Sequence, residues 1–102
     1  MNAKIKRLWV KALRSGKYRQ ARGALRKNTG AMCCLGVLCE IQGINWRKTA
    51  DMLPLGTTDV PRAFNAGLRR EQRTKLGIMN DGTKTIKRHS FREIADYIAK
   101  NL

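Results

Sequence analysis

Acidic residues are scarce: seven Asp and Glu stand against 22 Lys and Arg, which leaves a formal net charge of +15 on 102 residues. So few carboxylates cannot pair so many cations, and self-repulsion on this scale opposes a compact state unless a polyanion relieves it. No apolar run approaches the roughly 20 residues that span a bilayer, and MNAKIKRLWVKALRSGK lacks the uninterrupted apolar stretch of a secretory signal. The expectation is a cytosolic chain without a membrane partner. Histidine occurs once and cysteine three times. An odd cysteine number, with two of the three adjacent, argues against a disulfide framework and fits a reducing compartment.

What the sequence does contain is enough for one fold. Its 42% hydrophobic content is that of a folded domain rather than a basic tail, and the length suits a single domain over residues 1–102. The charge is uneven. Residues 1–30 hold ten basic residues and no acidic one, whereas residues 31–60 sum to about −1 and residues 61–102 to about +6.

In NAKIKRLWVKALRSG, Ile5, Leu8, Trp9, Ala12 and Leu13 recur at helical spacing, with Asn2 as N-cap and Gly16 just past the end. Lys4, Arg7, Lys11 and Arg14 then share an arc of roughly 80°, largely opposite the apolar stripe. They form a cationic ridge. Residues 17–26 have no helical stripe and read as extended, with KNTG as the turn of a short hairpin. CCLGVLCEIQG suits a short buried helix ended by Gly43, with a buried strand as the alternative, since a short apolar run alone does not decide. Residues 44–67, interrupted by Pro54, Gly56 and Pro61, read as loop and short helices around the core. A helical piece is expected over 68–79, closed by the turn NDG, followed by a short extended segment at Ile86. Ser90 and Glu93 spell a capping box for a terminal helix whose buried stripe is Phe91, Ile94, Ala95, Ile98 and Leu102.

The expected fold class is therefore α+β: a small single domain with two terminal amphipathic helices and a short buried Cys-rich helix, packed with a short β-hairpin. Trp9, Leu13, Cys34, Leu38, Phe91, Ile94 and Ile98 are its expected core.

A zinc site needs about four ligands at paired spacings, and Cys33, Cys34, Cys39 and His89 match no such pattern, so neither metal nor cofactor is expected. A thiol nucleophile at the start of the Cys-rich helix could draw on His89 as base and Gln20 as oxyanion donor, as in papain-like sites, but an apolar run with three cysteines reads first as core. No phosphate-binding glycine loop occurs, since GALRKNTG lacks the G-K-[ST] ending. SFREIADYIAKNL resembles the opening helix of a helix-turn-helix reader, but the recognition helix would have to begin at Leu102. The basic surface carries the strongest signal. Lys4, Arg7, Lys11, Arg14, Lys17, Arg19, Arg22, Arg26 and Lys27 are the candidate nucleic-acid-binding residues, with Tyr18 available to stack a base.

The segments WVKALRSGKYRQARGALRKNTGAMCCLGVLCEI at 9–41, VPRAFNAGL at 60–68, MND at 79–81 and SFREIADYIAKNL at 90–102 resemble a group of small, uncharacterised bacteriophage proteins. The resemblance covers most of the chain, and its most specific part is LRSGKY.Q..G.L followed by CCLGVLC. It implies a provenance, a phage genome and a host cytoplasm, rather than a reaction. Small phage proteins of this size often act on host machinery or defence complexes. The expected function is thus a non-enzymatic accessory protein that binds nucleic acid, DNA or RNA, or a nucleic-acid-containing host complex. The alternatives are an inhibitor that docks on an acidic surface of a host enzyme or defence effector, and a thiol enzyme.

Overall fold

A computed structural model describes residues 1–43 and 67–102. Among these residues the regular elements are four helices: α1 (Ala3–Arg14), α2 (Cys34–Ile41), α3 (Arg70–Asp81) and α4 (Phe91–Asn101). The expected loops and short helices of 44–67 lie, apart from Gly67, outside the described residues.

Three of the four helices start where a local side-chain acceptor meets their free amides. Asn2 Oδ1 accepts from Ile5 N at 3.0 Å, and the Cys33 thiol sulfur accepts from Gly36 N at 3.4 Å. Ser90 and Glu93 cap α4 reciprocally: Ser90 N donates to Glu93 Oε1 at 3.0 Å and Glu93 N donates to Ser90 Oγ at 3.2 Å. The first three helices end at glycines with positive φ, Gly16 after α1, Gly43 after α2 and Gly82 after α3, a conformation that a Cβ disfavours.

The expected α+β class is corrected by the structure. Among the described residues there is no sheet and no hairpin; residues 17–33 form a looped strap whose only pairings are isolated bridges of Gln20 and Arg26 to Met32. The physical reason lies in the partners. Both extended pieces spend their hydrogen bonds on one short stretch: Ala21 N donates to Met32 O, Met32 N to Arg19 O, Lys27 N to Ala31 O and Cys33 N to Leu25 O. Gly23 and Gly30, both at positive φ, turn the chain before a ladder can propagate.

The strap lies directly on α2. A Cβ at Gly36 would overlap the carbonyl oxygen of Leu25, so the helix must carry a glycine on that side for the strap to sit down. The core joins all these pieces. Trp9, Leu13, Leu25, Met32, the three cysteines, Leu35, Val37, Leu38, Leu76, Ile94 and Ile98 are buried in one cluster, and every residue of the expected core is among the buried ones. α1 packs most extensively on α4, and further contacts link α1 to α2, α2 to α3 and α3 to α4. Trp9 Nε1 ties α1 to α2 by donating to Cys34 O at 2.9 Å.

One detail of α1 differs from the sequence reading. Leu8, expected in the apolar stripe, is 45% exposed, whereas Val10 is buried. The core-facing arc is rotated towards Val10, and Leu8 is left beside the cationic ridge.

Candidate nucleic-acid interface

The cationic ridge is present as the helical spacing requires: Lys4, Arg7, Lys11 and Arg14 are all exposed on α1. Its arrangement does not favour the helix that carries it. Lys4 stands in the first turn, where the positive end of the helix dipole repels a cation, and the 4, 7, 11, 14 spacing sets like charges three or four residues apart. Among the described residues the only ion pair is Arg14 with Asp96 of α4, at 2.7 Å and largely exposed. Such a surface pair contributes at most about 1 kcal/mol. Beside it, Lys6, Arg7, Lys11, Arg14 and Ser15 surround a depression of about 550 Å³ floored by Val10 and Ala99. Lys6 was missed by the sequence reading because it falls outside the ridge, on the edge nearest α4.

The strap supplies the rest of the candidate set less evenly. Lys17, Arg19 and Lys27 are exposed, and Lys17 Nζ lies 5.6 Å from the centre of the half-buried Tyr18 ring. Arg22 and Arg26 are half-buried, and the Nε of Arg22 is buried without a hydrogen-bond partner among the described residues. The side chains available to a partner are thus chiefly those of α1, with Lys17, Arg19 and Lys27 as outliers.

A polar hub that the sequence reading passed over holds this strap in place. Asn80, at 0% exposure, uses its full hydrogen-bonding capacity. Its Oδ1 accepts from Gln20 Nε2 at 2.9 Å and from Cys34 N at 3.1 Å, and its Nδ2 donates to Ala21 O at 2.8 Å and to Asp81 Oδ1 at 2.9 Å. Asp81 Oδ1 also accepts from Gly23 N at 3.1 Å, and Gln20 Nε2 also donates to His89 O at 2.9 Å. NDG reads locally as a turn, yet its first two residues end α3 and anchor the strap. Replacing Asn80 with leucine, similar in volume, leaves the buried Cys34 amide without its acceptor and the Ala21 carbonyl without this donor. At about 1–3 kcal/mol for each such group, Asn80→Leu is expected to lower the unfolding free energy by about 3 kcal/mol in urea titration. A loss under about 0.5 kcal/mol would mean that the hub does not hold the strap.

The hub gathers Gln20, Asn80, His89 and the backbone of Cys34, but it does not build a thiol site. All three cysteines are free and fully buried. Burial pushes the Cys33 and Cys39 thiols up to about 12 and raises Cys34 well above the ordinary range. Neighbouring backbone amides pull the other way at Cys33 and Cys34, and burial outweighs them. A nucleophile needs the opposite shift. Cys34 Sγ donates to Leu76 O at 3.6 Å, while Nδ1 of His89 is buried with no hydrogen-bond partner among the described residues. Among those residues, no three His, Cys, Asp or Glu side chains come together as a metal-binding group.

A second, larger depression of about 790 Å³ lies between α3 and α4 and is lined by Arg70, Glu71, Lys75, Ile78, Ile86, His89 and Tyr97, among others. Among the described residues no helix is long and apolar enough to cross a membrane.

Compared with known proteins, residues 1–53 match a family model described as Domain of unknown function (DUF8296). No curated protein and no solved structure matches the chain.

Proposed function

Taking as premise that the chain belongs to the DUF8296 family, we propose that it is a small basic accessory protein of phage origin. It binds nucleic acid, or a nucleic-acid-containing host complex, in the host cytoplasm and thereby modulates host machinery or defence. The observation that supports this reading is the α1 surface, where Lys4, Lys6, Arg7 and Lys11 have no ion pair among the described residues. Four cationic side chains line the depression beside the ridge. Cations placed against the helix dipole and against one another lower the stability of the free protein. A phosphate backbone reverses that penalty, because each neutralised phosphate releases condensed counterions.

The test is a titration of labelled DNA and RNA strands across salt. With about six phosphate contacts, affinity is expected to fall about 10³-fold between about 50 and 200 mM salt. Absence of binding at the low end would defeat the proposal.

Leu8, 45% exposed beside the ridge, supports a second reading, in which α1 docks on an acidic protein surface around an apolar anchor. Capture from infected cells separates the two, since a protein complex survives nuclease treatment and a strand-bridged one does not.

A further inference from the structure

We infer that the groove between α3 and α4 is the seat of one unstacked nucleobase, which makes single-stranded nucleic acid the preferred partner. This inference rests on the cationic reading of α1 for the strand's phosphates and adds to it a separate place for a base.

Three features of the groove point to that occupant. First, its apolar part is aromatic at one wall: the half-buried Tyr97 ring of α4 stands across from Ile78 of α3, and Ile86, 44% exposed, forms part of the lining from the connecting loop. A planar heterocycle gains most from such a wall, because every base has a face to stack. Second, Arg70 and Lys75 stand on the α3 side, with Lys75 Nζ 4.9 Å from the centre of the Tyr97 ring. The ammonium covers that face of the ring, so a base that stacks there takes its place and leaves Lys75 free to turn to the adjoining phosphate. Third, the groove contains His89, whose buried Nδ1 lacks a hydrogen-bond partner among the described residues. Its backbone is fixed on both sides, with His89 N donating to Met79 O at 2.7 Å and His89 O accepting from Gln20 Nε2. Nδ1 itself is covered, so a base edge meets the half-buried ring through its other nitrogen, Nε2, which accepts or donates according to the tautomer. A purely apolar ligand would satisfy neither the imidazole nor the two cations, and a duplex keeps its bases stacked out of reach. The volume of about 790 Å³ lies within the usual range for small-ligand sites.

The groove and the α1 depression flank α4 on opposite sides. Tyr97 lines one and Ala99 the other, and Arg92, Asp96 and Lys100 are exposed on the same helix. A strand that crosses α4 can therefore meet both.

The experiment compares the full chain's affinity for three probes of about 12 nucleotides: a single strand, an abasic strand with the same phosphates, and a duplex. The single strand is expected to bind about tenfold more tightly than the abasic strand. Tyr97→Leu and, at an exposed position where folding is not at stake, Ile86→Ser are expected to erase that difference while leaving the abasic affinity and the salt slope unchanged. Tyr97→Phe is expected to keep it. Equal binding of base-bearing and abasic strands would overturn the groove assignment alone. Failure of every probe to bind at low salt would overturn the cationic reading and the groove together.

Discussion

Raising the pH from about 9 to 11 is expected to remove about 7 kcal/mol of folding free energy, a large share of what holds the protein folded. The three buried thiols are the cause. In the unfolded chain a thiol ionises near the ordinary value of 9.0, whereas Cys33 and Cys39 hold their protons to about 12 in the folded state and Cys34 is raised in the same direction. Above 9 the folded state thus binds more protons than the unfolded state, so stability falls as pH rises. Below 9 the contribution is complete and flat. Each thiol gives a limiting slope of about 1.4 kcal/mol per pH unit, and three give about 4. Against a total stability of about 5–15 kcal/mol, two pH units remove from about half of the stability to all of it. Urea midpoints measured from pH 8 to 11 test this directly. Single Cys33→Ala, Cys34→Ala and Cys39→Ala variants separate the thiols from every other group that titrates in that window. Each variant should be less stable at neutral pH, because it leaves a small void, but flatter in its alkaline decline by about one thiol's slope. Alkaline slopes identical to the parent's would refute the assignment.

The same burial explains which parts of the fold the sequence reveals. α1, α2 and α4 are readable because their information is local: the 3.6-residue stripe of Trp9 and Leu13, the apolar run after Cys33, and the Ser90–Glu93 box each fix an element within one or two turns. The strap is not readable in that way. KYRQARGALRKNTGAM has the composition of two strands and a turn, but its conformation is set by Asn80 and Asp81, about 60 residues away in sequence. A turn signal such as NDG gives no sign that its asparagine is fully buried. Tertiary contacts override local preference here, as they do for Leu8, which has the right spacing for the core but lies on the wrong side of the final helix rotation.

The candidate site divides along the same line. The exposed ridge of α1 follows from helix geometry alone, so Lys4, Arg7, Lys11 and Arg14 are found from sequence. The groove is made of residues from two helices and a loop that only the fold brings together, Ile78, Ile86, His89 and Tyr97. His89 next to a cap looks like a surface residue, yet its backbone is bonded on both sides and half of it is covered. A lone histidine gives no spacing from which that could be inferred.

Reversing three ridge charges, Lys4→Glu, Arg7→Glu and Lys11→Glu together, is expected to weaken nucleic-acid binding about 10³-fold at about 0.1 M salt and to shallow the salt slope by about 3. The arithmetic follows from counterion release: each lost phosphate contact removes about 0.9 from the slope, which at that salt concentration is close to one decade of affinity, and the new carboxylates add repulsion. The fold should survive, because all three side chains are exposed and none has an ion pair among the described residues. Lys4→Glu even places an anion at the favourable end of α1. Arg14 is left unchanged because Asp96 already shares its charge. The decisive control makes an equal change of charge elsewhere, at the exposed Lys84, Lys87 and Arg88 of the loop before α4. If the ridge is the phosphate-binding face, the control loses far less affinity than the ridge variant. If net charge alone draws the polyanion, the two variants lose affinity equally, and α1 has no special part in recognition.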